Sequence, residues 1–331
     1  MTVSIAMAVY QGMRFLERQM QSLLAQSLQP DEVIICDDAS TDGTAEFVDN
    51  FIKEHQLSTW RLSVNACNVG FRENFYRAVS ETTGDLIALC DQDDIWHADK
   101  LKRMVSVMAG HPGIRSLGCG YRLIDEDGAP KQAAGDGGTF SCLIPFAVPK
   151  GALVNIGHFG DDDIFMLSSN RLLGCTMLID RRTAQSYLKF SRRRIAHDWE
   201  MNLIAAIEDG LYFLNEPLVE YRMHDSNTLG LPNLTQKKKK RAPDILGRRE
   251  IHEFFEAAVE FSNAYLSEMG SAALPVSYTE YARVRRSVLW DRSFIALVRL
   301  WCIYHSEYKR LFTFEQRLGD VLIVALKFLY R

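Results

Sequence analysis

The chain predicts an α/β fold, a mostly parallel sheet wound with helices, and two observations carry that prediction. Over the first hundred residues, short apolar runs alternate with segments whose apolar residues recur at helical spacing. Two of the runs break directly into acidic clusters, Asp37-Asp38 and Asp91-Gln92-Asp93-Asp94. Parallel strands of such sheets present their C-terminal ends to ligands, so both clusters fall on one rim.

Taken in order, Val3–Val9 reads as a buried strand, and Phe15, Leu16, Met20, Leu23 and Leu24 form a helix stripe behind it. Residues 32–36 are a second strand, followed by a turn and helix start across residues 37–44. Ala45, Phe47, Val48, Phe51 and Ile52 supply the next stripe, Trp60–Val64 a third strand, and Phe75, Ala78 and Val79 another helix. The fourth strand begins at Leu86 and runs into the second acidic cluster, with a helix starting near Ala98. Residues 128–170 are rich in glycine and read as long loops, suited to a lid or to acceptor binding; the run Asp161-Asp162-Asp163 within them reads as solvated. A strand-like return follows at residues 176–179, helical character resumes at Met201, and residues 211–218 form an apolar run broken by Pro217.

Three carboxylates within four residues repel one another unless positive charge sits among them, and hard oxygen ligands suit Mg²⁺ or Mn²⁺. A divalent ion holding a diphosphate is one reading. A solvated acidic turn capping the next helix is the other, because isolated Asp-x-Asp triplets are common.

An ordered set of motifs decides between them. Val3-Ser4-Ile5 with Tyr10, Ser22-Leu23-Leu24-x-Gln26-Ser27, Pro30, Glu32, Asp37-Asp38-x-Ser40-x-Asp42-Gly43-Thr44, Asn68-x-Gly70 and Gly84-Asp85 precede Asp91-Gln92-Asp93-Asp94. This stretch resembles the family 2 glycosyltransferases of the GT-A fold. A weaker continuation through Gly174-Cys175-Thr176, His197-Asp198-Trp199-Glu200 and Tyr221-Arg222-x-His224 is similar to the rhamnosyltransferase-type branch that builds bacterial cell-surface polysaccharides.

The resemblance implies a role for each motif. Ala8 would belong to the donor site, and Tyr10 and Asp38 would meet the nucleotide base, Tyr10 as its wall and Asp38 as an acceptor for the ring imide. Asp37 would meet the ribose or hold the turn. Asn68 and Gly70 lie on a loop facing the same rim, where glycine permits close backbone approach, although Asn-x-Gly is also a plain turn signal. Asp91-Gln92-Asp93 corresponds to the family's Asp-x-Asp: Asp93 would coordinate the metal, Asp91 would contact ribose or metal-bound water, Gln92 would belong to the donor site, and Asp94 would back the metal loop or cap the helix. Asp198 falls where the family places its general base, and an N-cap is the bland alternative. Arg222 would bind phosphate, and His224 would complete the metal's ligands or touch the leaving group. The role of His197 stays open.

Composition bounds the setting. The chain has 331 residues, 47% of them hydrophobic, enough for one substantial domain plus an appendage. Its seven cysteines follow neither disulfide nor zinc spacing and read as reduced, buried thiols of a cytoplasmic protein. No secretory signal is visible, and no apolar run reaches the ~20 residues that span a membrane. Residues 1–231, the expected GT-A domain (1–110 nucleotide-sugar half, 111–231 acceptor half), carry 21 basic and 31 acidic side chains; residues 232–331, the expected helical region, carry 17 and 11. That basic tail opens with Lys237-Lys238-Lys239-Lys240-Arg241 and continues in amphipathic stripes, which suits the cytoplasmic membrane surface, a solvated linker, a helical subdomain or a dimer interface. Nucleic-acid binding is not expected, since the donor-side half is acidic and no recognition motif appears.

The reading is therefore a metal-dependent inverting glycosyltransferase with a nucleotide-sugar donor and a saccharide or lipid-linked saccharide acceptor. The resemblance favours rhamnose from dTDP-rhamnose; galactofuranose, glucose or N-acetylhexosamine from UDP donors are the alternatives. Nucleotidyl transfer would leave Asp198 unexplained, and a non-catalytic sugar-nucleotide sensor would leave both Asp93 and Asp198 without a purpose.

Overall fold

The computed structural model describes residues 1–131, 148–157, 163–225, 245–312 and 314–329. They divide between two compact units, one drawn from Met1–Gly157 and Arg171–Thr235 and the other from His158–Asn170 and Gln236–Arg331.

The first unit is built on a nine-stranded sheet. Strands β1 (Val3–Val9), β2 (Glu32–Asp37), β3 (Trp60–Val64) and β4 (Leu86–Cys90) pair in parallel, with β1 between β2 and β4. Three helices make the crossovers: α1 (Leu16–Leu24), α2 (Thr44–Glu54) and α3 (Phe71–Ser80). The apolar spacing explains α1, which buries Leu16, Met20 and Leu23 on one side. The chain leaves β1 toward β2 and later returns to β1's other side as β4. This makes the β1/β4 boundary a topological switch point, where the crevice outside the strand ends opens.

Beyond β4 the sheet becomes mixed. The short β5 (Ile95–Trp96) follows the acidic cluster, and α4 (Lys100–Gly110) leads to β6 (Ser116–Ile124). Strand β7 (Leu153–Gly157), the 3-10 turn Gly174–Thr176, β8 (Met177–Asp180) and β9 (Leu211–Arg222) complete the sheet, in the order β3-β2-β1-β4-β8-β6-β9-β5 with β7 also on β9. Pro217 does not interrupt β9 as its sequence suggests. A bulge between β6 and β9 sets it opposite Gly120, where a missing N–H is tolerated. The long-loop expectation for residues 128–170 is also corrected, because they contain β7 and, in the second unit, α5 (Asp163–Ser168). Asp163 begins that helix, whereas Asp161 and Asp162 lie outside the described residues.

Two helices follow β8. Asp180 caps α6 (Arg181–Phe190), its carboxylate accepting from the Thr183 N–H at 2.8 Å, and α7 (His197–Ile207) is buried along almost its whole length.

The second unit consists of helices: α5, α8 (Ile245–Glu268), α9 (Val276–Asp291), α10 (Phe294–Cys302), α11 (His305–Leu311) and α12 (Phe314–Leu329). Its interior holds a buried ionic network, in which Asp320 takes Arg248 at 2.8 Å, Arg285 at 3.4 Å and the Tyr308 hydroxyl at 2.8 Å. The Lys237–Arg241 run lies outside the described residues. Among the described residues, no helix is long and apolar enough to cross a membrane. The described cysteines are all free; Cys36, Cys90, Cys119 and Cys175 are buried, but Cys67 and Cys302 are exposed, which corrects the expectation of uniformly buried thiols.

Candidate active site

The acidic loop lies at the switch point. Parallel pairing of β1 with β4 in the register Met7 to Cys90 brings the residues after Val9 beside those after Cys90. Gln92 joins the two: its side-chain oxygen accepts from the Tyr10 N–H at 2.7 Å, and its amide donates to the Tyr10 carbonyl at 2.9 Å. Gln92 thus clamps the backbone of Tyr10, whose ring stays 45% exposed over the rim. A side chain at Gly12 would collide with this clamp, its Cβ falling 2.7 Å from the Gln92 oxygen.

The three carboxylates have separate surroundings. Asp93 is partly exposed, and its Oδ2 lies 2.8 Å from Nε2 of His224, two residues past the end of β9. Asp94 is fully buried and accepts the Arg222 backbone N–H at 3.0 Å; burial, then the Asp93 charge, pushes its carboxyl up to about 7. Asp91 is pushed well up by desolvation first, then by Asp93, Asp94 and Asp198. A buried cation partly offsets this charge: Lys100, the first residue of α4, is fully buried, lies 3.2 Å over the Trp96 ring and donates to the Cys175 carbonyl at 2.7 Å.

Does this cluster fit a divalent ion? Asp91 and Asp94 are raised first by burial and then by neighbouring carboxylates, and a cation relieves both the desolvation and the repulsion. The separation of Asp93 and His224 is close to the ~3 Å between neighbouring ligands of an octahedral ion with bonds of ~2.1 Å. Asp91, Asp94 and Cys175 also bring ligand atoms within 4.8 Å of one another. Burial holds the Cys175 thiol protonated, well above its ordinary range, and soft sulfur is a poor partner for Mg²⁺ or Mn²⁺. The residues therefore fit a hard cation, which Asp93 and His224 would hold.

On the β2 side, both acids point inward. Asp37 accepts from the Ser40 N–H at 2.8 Å, and its other oxygen is buried without a partner. Asp38 is 2% exposed and takes three donors at 2.8 Å each, the Asn65 amide and the backbone N–H groups of Val69 and Gly70. It thus shapes the loop that carries the exposed Asn68, while Gly70 sits at φ +85°, a conformation that disfavours a side chain. Ala8, opposite Cys36 near the end of β1, is partly buried.

Asp198 arrives from a different direction. It sits in the first turn of α7, whose N-cap is Ala196, so it is not the cap residue. Its carboxylate accepts from the Gly174 N–H at 3.0 Å and the Trp199 N–H at 2.8 Å. Its charge is one of those acting on Asp91, which places the two carboxylates in one electrostatic field. His197 turns away, stacked on Phe75 at 3.8 Å between ring centroids; burial pushes its imidazole down to about 3, so it is neutral.

Arg222 is fully buried, and its guanidinium donates to the carbonyls of Asp93 at 2.7 Å, Asp125 at 3.0 Å and Glu126 at 2.8 Å while lying over the Phe15 ring. These bonds hold the backbone of the acidic loop. The sequence reading passed over Lys100, Asn65 and the proximity of Cys175 to Asp94. The stripe Leu101, Met104, Met108 could have marked Lys100, since it places the preceding lysine at the buried start of the same helix.

The class of protein follows from the fold. S. aureus TarS 1-349, solved in complex with UDP-GlcNAc, superposes with a TM-score of 0.53 at 16% identity over 94% of this chain and 79% of that one, which shows the GT-A type of sheet and flanking helices. Within that class, residues 4–138 match the glycosyl transferase family 2 model, which covers the first four strands, the acidic loop and β6. The dTDP-rhamnosyl transferase RfbG of Shigella flexneri is 25% identical over 334 residues, covering 90% of this chain and all of that one. EpsE of Bacillus subtilis (strain 168) is 33% identical over 126 residues; that match covers 38% of this chain and less than half, 45%, of EpsE.

Proposed function

We propose that the protein is an inverting, metal-dependent glycosyltransferase that moves a sugar from a nucleoside diphosphate to a saccharide or lipid-linked saccharide in cell-surface polysaccharide synthesis. The observation that carries this reading is the Asp93–His224 pair, set among carboxylates lacking sufficient counter-charge. Mg²⁺ or Mn²⁺, when bound there, supplies positive charge against the departing diphosphate. Tyr10 stacks on the base, and Asp38 holds the Val69–Gly70 backbone against the nucleotide. Asp198 takes the proton of an acceptor hydroxyl, which attacks the anomeric carbon from the face opposite the diphosphate. The Gly174 N–H fixes one oxygen of that base, which leaves its direction little freedom.

Rhamnose from dTDP-rhamnose is the preferred donor, supported by the end-to-end likeness to a protein named for that substrate. UDP-linked hexoses are the second choice, since TarS was solved with UDP-GlcNAc on a similar fold. A cytoplasmic enzyme working at the inner membrane surface completes the reading.

The test is release of nucleoside diphosphate from a panel of sugar nucleotides with Mn²⁺, Mg²⁺ or chelator, using wild type, Asp93→Ala and Asp198→Ala. Slow metal-dependent hydrolysis of one donor, lost in Asp93→Ala, is expected. Transfer to a membrane-extract acceptor should fall in Asp198→Ala by about 10²- to 10⁴-fold, the usual worth of a positioned base. Release of pyrophosphate would instead mark a nucleotidyl transferase, and donor binding without turnover a sensor.

A further inference from the structure

We infer that one face of the second unit, formed by α10 and α12, docks on an anionic lipid surface. The inference deepens the reading of an enzyme acting at the membrane and rests on it for biological sense only, because it concerns binding.

The two helices meet where Trp301 packs edge-on against Phe314, with ring centroids 6.5 Å apart, and Arg317 lies over both rings. From this junction each helix directs large apolar side chains into solvent. On α12 these are Phe314, Leu318 and Leu322, spaced four residues apart and 58%, 41% and 53% exposed. On α10 they are Phe294, Ile295 and Val298, at 61%, 75% and 43%, and Ile303 just beyond the helix is also exposed. The interior side of the same helices is well packed, with Leu297, Leu300, Ile323 and Val324 buried, so the exposed set is a second apolar face and not a poorly formed core. Contiguous apolar faces of this kind mark sites of association.

Charge selects the occupant. Residues 292–331 carry seven basic and three acidic side chains, of which Arg317 and Asp320 are buried. Helix α10 has Arg299 and no acid, and Lys309 and Arg310 stand exposed on α11. A second copy of the chain would bring the same positive rim against itself. An anionic bilayer offers an apolar interior for the side chains and negative headgroups for the rim, the arrangement in which interfacial amphipathic helices bind.

The experiment is flotation of the full chain with vesicles of phosphatidylcholine alone or with phosphatidylglycerol added, containing no sugar acceptor. Ile295→Ser/Phe314→Ser/Leu322→Ser removes the apolar face, and Arg299→Glu/Lys309→Glu reverses the rim; all five positions are exposed, and thermal melts check that folding is kept. Wild type should partition preferentially onto anionic vesicles. The apolar variant should lose about tenfold or more in partition coefficient, as expected when binding scales with buried apolar area. The rim variant should lose most of the preference for anionic lipid, and donor hydrolysis should be unchanged in both. Undiminished binding of the apolar variant would overturn the inference and place the lipid contact elsewhere. Concentration-dependent dimers abolished by the same variant, without vesicle binding by wild type, would overturn it in favour of a second copy. Because donor hydrolysis is measured separately, failure here is distinguishable from failure of the transferase reading.

Discussion

Replacing Arg222 by methionine separates two roles for this residue. The guanidinium makes three hydrogen bonds to backbone carbonyls, and bonds to a charged group are worth about 1.5–3 kcal/mol each. Asp125 and Glu126 lie on a partly exposed turn, where water can replace the lost donors, whereas the bond to Asp93 anchors the acidic loop. Allowing for that replacement, Arg222→Met should cost about 2–4 kcal/mol, with the methionine filling much of the apolar space beside Phe15. For a unit of this size the melting temperature should fall by roughly 5–15 °C. Turnover should fall with it, because the main chain carrying Asp93 is no longer fixed, and Arg222→Lys should rescue little, since one ammonium cannot reproduce a fork aimed at three carbonyls. The assay is thermal denaturation beside steady-state kinetics with varied donor. An unchanged melting temperature with a raised KM for donor would refute the argument, because that is the signature of a phosphate contact.

Three further outcomes follow from the geometry. Burial pushes the Glu200 carboxyl up to about 7, so the folded chain retains a proton there that the unfolded chain releases from about 4.5 upward; stability from this group is full below pH 4.5 and lost as pH rises through 7. Glu200→Gln should therefore flatten the decline of melting temperature between pH 4.5 and 7.5, by an order of ~3 kcal/mol, and parallel curves for the two proteins would contradict the assignment. Asp38→Ala leaves the Val69 and Gly70 N–H groups without their acceptor and should cost about 1–3 kcal/mol; faster hydrogen exchange at those two amides is the check, and unaltered protection would show that the loop is held by something else. A Cβ at Gly174 would stand 3.0 Å from Nε2 of His197 and 3.5 Å from Cβ of Asp198, so Gly174→Ala should lower transfer by about 10- to 100-fold through misplacement of Asp198 while leaving metal-dependent donor hydrolysis largely intact; full transfer activity would show that Asp198 does not need this support.

Much of the donor-side half could be read in advance, and the reason is local. Strands β1 and β4 are short apolar runs ended by turn chemistry, β3 alternates apolar and polar residues, and the stripe on α1 has the period of the helix it forms. The acids were legible as types and positions but not as orientations. Nothing local distinguishes Asp38, turned inward to three donors, from Asp93, which faces His224. For Arg222 the limit is similar: a basic residue at a strand end suggests an anion, and only the tertiary arrangement shows carbonyls of Asp93, Asp125 and Glu126 converging on it. Residues 128–170 were obscured because β7 and α5 draw their stability from β9 and from α8 and α11, partners distant in sequence.

The Gln92 clamp has a thermodynamic consequence. Its two bonds make the loop that presents Tyr10 and the loop that presents Asp93 a single mechanical element. If, as proposed, nucleotide stacks on Tyr10 and a cation sits at Asp93, ordering either loop prepares the other and the two should bind cooperatively. Linkage then requires the effect to be reciprocal: nucleotide tightens the cation by the same factor as the cation tightens nucleotide. On the proposed reading, donor and divalent ion would then be taken up together at low ion concentration, as one combined ligand.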